Sequence, residues 1–126
     1  MVASLLEDNR RAEFSLLDSD KYPIAFDDLE YPPLKFAVII SGYASSGESC
    51  RAFFDSPIKT PSMHMLGILD DVVDEETSLK LAARCQGPDD DKPNESIVVY
   101  HPGGHVAPSG KRELAAMTQF LKRCIG

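Results

Sequence analysis

The chain has 126 residues, 43% of them apolar, 26% charged and 8% aromatic, which suits one soluble domain of modest size. With 20 acidic against 13 basic residues the formal charge is −7, the wrong sign for a surface that tracks phosphates, so nucleic acid is not an expected partner. No apolar run approaches the roughly 18 to 20 residues of a membrane-spanning helix, and Met1-Val2-Ala3-Ser4-Leu5-Leu6 runs straight into Glu7-Asp8 instead of forming a secretory leader.

In chain order, the first eight residues read as the tail of a helix. Residues 7–30 then hold eight acidic and three basic side chains among Pro and turn formers, which predicts a solvated acidic loop over 9–33. Lys35 to Gly42 (KFAVIISG) is β-branched and almost continuously apolar, the pattern of a parallel strand covered on both faces. A short helix follows around Ser49 to Phe54, and a second apolar run, Ser62 to Ile68 (SMHMLGI), reads as the next strand. Glu75 to Cys85 is a predicted helix whose acidic opening (Asp74, Glu75, Glu76) complements the helix dipole, with Leu79, Ala82 and Ala83 on one side. A second acidic loop spans 87–95. Its Asp89-Asp90-Asp91 run is read as solvated, since adjacent carboxylates repel and no second set of cation ligands is evident. Ser96 to His101 (SIVVYH) is the third strand, and Gly110 to Ile125 the final helix, with Leu114, Met117, Leu121, Cys124 and Ile125 along one stripe.

Strands alternating with helices imply parallel strands joined by right-handed crossovers, a three-stranded α/β sheet with flanking helices. Such a sheet has two unprotected edges and looks incomplete, so the whole of 1–126 reads as a single partial domain, able to self-associate through an exposed strand edge. The three cysteines, Cys50, Cys85 and Cys124, are widely spaced, with no CxxC pair and no Cys/His cluster. That pattern indicates neither a zinc site nor a disulfide framework and fits reduced thiols in a cytoplasmic protein.

In an open parallel sheet, functional groups gather beyond the carboxyl ends of the strands. Three loops lie there: residues 41–47, 67–73 and 101–108. An Asp after the second strand and a His after the third can meet across the sheet end, where a carboxylate would fix the imidazole tautomer for acyl transfer. Gly103 and Gly104 would allow a tight backbone path that aims His105 inward. Asp followed by His, each after a late strand, is the chain order of the α/β-hydrolases.

The residues that carry the resemblance are Lys35 to Gly42, then Thr60-Pro61-Ser62-Met63-His64-Met65-Leu66-Gly67-Ile68-Leu69-Asp70-Asp71-Val72-Val73, then His101-Pro102-Gly103-Gly104-His105. Together they resemble the C-terminal half of the FSH-type serine hydrolases, small α/β-hydrolases common in fungi that include esterases and polyketide-releasing thioesterases. The resemblance implies the C-terminal part of an α/β-hydrolase fold and hydrolysis of a small or carrier-bound acyl ester or thioester, with no metal or organic cofactor. It makes Asp70 the triad acid and His105 the general base. Asp71 is the lesser candidate for the acid, and His64 and His101 are expected to pack and to bond their own loops.

The nucleophile elbow Gly-x-Ser-x-Gly does not occur. The nearest approach, Gly42-Tyr43-Ala44-Ser45-Ser46-Gly47, has Ala44 where the serine is needed, so Ser45 and Ser46 are weak candidates. Two further expectations stand beside the hydrolase: a catalytically inactive truncated remnant or interaction module, and a flavodoxin-like ligand-binding domain. The last is disfavoured by the lack of a Gly-rich phosphate loop.

Overall fold

The computed structural model describes residues 2–7, 10–17, 22, 30–85 and 96–126. Its strands are β1 (Ala37–Ile40), β2 (Ser62–Gly67) and β3 (Ile97–His101). Its helices are α1 (Val2–Leu5), α2 (Arg10–Leu17), α3 (Arg51–Phe54, entered through a 3₁₀ turn at Glu48–Cys50), α4 (Glu75–Arg84) and α5 (Lys111–Ile125). The strands form one parallel sheet in the order β1-β2-β3, with Ile39 opposite His64 and Met65 opposite Val99. This is a partial α/β fold, as the alternating pattern implies. None of the helices is long and apolar enough to cross a membrane among the described residues.

Strand alternation divides the interior in two. On one face Met63 and Met65 pack with Phe120 of α5, flanked by Val38, Ile97, Val99 and Leu121. On the other, Phe14, Tyr22, Phe53, Phe54, Ile58, Leu81 and Cys85 gather beneath α2, α3 and α4. Both crossovers, through α3 and α4, cover the second face, and α5 returns over the first.

Four expectations are corrected. β1 and β3 are the half-exposed strands, and the less β-branched β2 is the one buried along almost its whole length, because it is central. Residues 10–17 of the expected 9–33 loop form helix α2, whose Phe14 is sealed by edge-on contacts with Tyr22 and Phe53. The Arg10 guanidinium is buried there too, donating to the carbonyls of Ser4, Ala52, Ser56 and Pro57. The buried side of α4 is Ser78, Leu81 and Ala82, with Cys85 one turn on, while Leu79 is exposed. In α5 the buried stripe runs through Glu113, Ala116, Met117, Phe120, Leu121 and Cys124, leaving Leu114 and Ile125 largely in solvent. The 87–95 loop and the remainder of the 9–33 stretch up to residue 29, except Tyr22, lie outside the described residues.

Candidate active site

The loops after β2 and β3 are held together by a continuation of the parallel ladder. Ile68 N–H donates to the His101 carbonyl (2.9 Å) and Leu69 N–H to the Gly103 carbonyl (3.1 Å). Asp70 N–H then folds back on the Gly67 carbonyl at 3.2 Å, which turns its side chain over the sheet end. On the other loop Val106 N–H bonds the Gly104 carbonyl at 2.9 Å, so His105 sits at the centre of a three-residue turn.

These two turns bring Asp70 and His105 into contact. Oδ2 of Asp70 lies 3.1 Å from Nδ1 of His105. The other carboxylate oxygen, Oδ1, accepts the backbone N–H groups of Val72 (3.0 Å) and Val73 (2.9 Å). The two oxygens therefore have separate tasks, one holding the loop and one facing the ring. The Asp70 side chain is 4% exposed and that of His105 44%, so the ring is anchored on its Nδ1 side and open beyond. The Ser41 hydroxyl, the Val73 and Val72 amides and the His105 ring together hold the Asp70 carboxyl well below the usual carboxylate range, against the opposing effect of desolvation.

Close approach, not backbone freedom, is what the loop glycines supply, since none of the described glycines has positive φ. A Cβ on Gly67 would collide with the carbonyl oxygens of Gly103 and Gly104. The tight path through Gly103 and Gly104 toward His105 is thus made without positive φ.

The other candidates are dispersed. Asp71 is exposed beside Asp70. His64 is buried on β2, its Nε2 3.0 Å from the Ser62 hydroxyl, and desolvation lowers its pKa to about 4. His101 is buried at the end of β3, where its Nδ1 accepts the Gly103 N–H at 3.2 Å. Ser45 Oγ takes the Gly47 N–H at 3.4 Å, and among the described residues no hydrogen bond joins Ser45 or Ser46 to His105. Nor do three His, Cys, Asp or Glu side chains converge as a metal site would require, among the described residues. One residue beside the pair carries no sequence signal, Ser41 at the end of β1. It is the one described non-glycine residue with positive φ, 47°.

A parallel sheet whose successive loops carry Asp and then His over the strand ends has the chain order of an α/β-hydrolase. The chain belongs to the serine hydrolase (FSH1) family, whose model matches residues 1–117. Among its relatives, the esterase OVCA2 of Danio rerio is 32% identical over 90 residues, 71% of this chain and 36% of that protein. Esterase OVCA2 of Mus musculus is 29% identical over 94 residues, 75% of this chain and 38% of that protein. The Saccharomyces cerevisiae protein named family of serine hydrolases 3 is 33% identical over 95 residues, 75% of this chain and 34% of that protein. The matched part is thus between 34% and 38% of each relative's length.

Proposed function

We propose that Asp70 and His105 are the acid and the base of a Ser-His-Asp hydrolase that cleaves an ester or thioester. The observation that carries this reading is the 3.1 Å contact between Asp70 Oδ2 and His105 Nδ1 on the loops of adjacent parallel strands. Family membership and the esterase names of the relatives support it. The 126 residues hold no Gly-x-Ser-x-Gly, so this reading does not assign the nucleophilic serine to any of them.

In that reaction the serine hydroxyl attacks the acyl carbonyl while His105 Nε2 takes its proton. Asp70, kept anionic, accepts the Nδ1–H and stabilises the imidazolium without itself being protonated. Collapse of the tetrahedral intermediate expels the alcohol or thiol, which receives the proton from His105. Water, deprotonated by His105, then attacks the acyl-enzyme; collapse releases the carboxylic acid and returns the proton to the serine. Backbone N–H donors stabilise the oxyanion in both stages.

The test uses the protein as its native source makes it, with an ester substrate and a fluorophosphonate label for activated serines. Asp70→Asn and His105→Ala are each expected to lower kcat by about 10⁴-fold and to suppress labelling. Turnover within tenfold of the parent in either variant would remove that residue from the mechanism. The missing pentapeptide also favours a second reading, a non-catalytic interaction module. That reading predicts no label on the native protein at all.

A further inference from the structure

The buried polar group that the triad reading leaves unused is the hydroxyl of Ser41. Ser41 is 6% exposed and caps β1, its N–H donating to the Met65 carbonyl at 3.0 Å as the last rung of the ladder. The next residue is fixed as well, because the Gly42 carbonyl accepts the Ser78 hydroxyl at 2.9 Å. Between these two anchors the chain takes a left-handed turn at φ 47°, a conformation that serine adopts uncommonly. The turn leaves the hydroxyl inside, where Oγ has no hydrogen-bond partner among the described residues.

Such a group is costly unless an acceptor stands beside it. The register brings Ser41 to the start of the Asp70 loop. Ile40 pairs with Met65, so Ser41 lies level with Leu66, next to Gly67, on whose carbonyl the Asp70 backbone folds. Among its neighbours, the Ser41 hydroxyl does most to favour the charged form of the Asp70 carboxylate.

We infer that Ser41 is a positioning residue for the Asp70–His105 pair, its left-handed turn delivering a buried hydroxyl that steadies the Asp70 carboxylate with Oδ2 toward the imidazole. The inference rests on the Asp70–His105 reading above. Besides the ring, the carboxylate then has two amides bonded to Oδ1 and the Ser41 hydroxyl of the neighbouring strand beside it. Asp70 cannot swing from His105 without abandoning them.

The tautomer of neutral His105, read from its ring ¹⁵N shifts in this chain, tests the idea. A steady Oδ2 holds the proton on Nδ1. In Asp70→Asn, Oδ1 keeps the two amides and the side-chain NH₂ meets Nδ1, so the proton must move to Nε2. Ser41→Ala and Ser41→Gly are each expected to lower the Nδ1–H to Nε2–H ratio roughly five- to tenfold. Ala keeps the backbone demand and Gly relieves it, so an equal effect in both identifies the hydroxyl. An unchanged or higher ratio in both, or a fall in Ser41→Ala alone, overturns the inference. If Asp70→Asn itself leaves the tautomer on Nδ1, the acid–base pairing fails instead.

Discussion

His64 shows how donor counting fixes chemistry in a buried strand. The Ser96 hydroxyl gives its hydrogen to the Cys85 carbonyl at 2.7 Å, so in its 2.9 Å contact with Ser62 it must accept. That uses the hydrogen of Ser62, and the 3.0 Å contact with His64 is therefore an Nε2–H donating to Ser62 Oγ. The row runs one way, from imidazole to carbonyl. Burial holds the His64 pKa near 4 in the native state, against 6.5 in an ordinary environment. A base whose pKa is lowered by folding binds fewer protons when native, so its unfavourable burden is absent above pH 6.5 and grows as pH falls toward 4. Stability should drop by about 3 kcal/mol over that window. Asp70 and Asp74 do not blur the result. Their pKa values are lowered from 3.8, so their contributions are intact above that value and lost only below it. Urea unfolding at pH 7 and 4.5 should show the drop, and His64→Gln should remove most of it. Equal pH slopes in the two proteins would count against this account. Asp70 and His105 are legible in the sequence because they stand in spaced motifs. Ser41 is not, since a lone serine after a strand has no pattern and its burial and φ arise only from the fold.

The strands are legible because runs such as KFAVIISG and SIVVYH have no helical alternative of that length. Their order is not, because centrality is a property of the assembled sheet. The phase of α4 is ambiguous for a similar reason. Residues 79, 82 and 83 and residues 78, 81, 82 and 85 both make apolar or small-residue faces, and the Ser78 hydroxyl on the Gly42 carbonyl favours the second. Helix α4 is still well started, with the Asp74 side chain accepting the Thr77 N–H at 2.8 Å. Between the elements, Gly67 sets the spacing of the two site loops. Gly67→Ala is expected to push the 103–104 backbone away, costing about 1 to 3 kcal/mol and loosening His105 from Asp70. Thermal unfolding and the ring ¹⁵N shifts would report both effects. An equally stable variant with the ring contact intact would show that the loops can adjust.

At the level of the whole molecule, the sheet separates two apolar interiors that share only its strands. Phe53 sits in the interior under α2, α3 and α4, and Phe120 in the one under α5. Side chains without common neighbours should contribute independently, so Phe53→Leu and Phe120→Leu are expected to add within about 0.5 kcal/mol in a double-mutant cycle. A coupling above about 1 kcal/mol would mean that β2 transmits packing changes across the sheet.

The thioethers of Met63 and Met65 are both fully shielded, side by side on one face of the central strand with Phe120 against them. Converting either to a sulfoxide would put a polar, chiral oxygen into that dry layer. Dilute peroxide therefore reaches them only while α5 is lifted, and once oxidised they would hinder it from docking again. The rate at which these two sulfurs take up oxygen would count how often the final helix leaves the sheet.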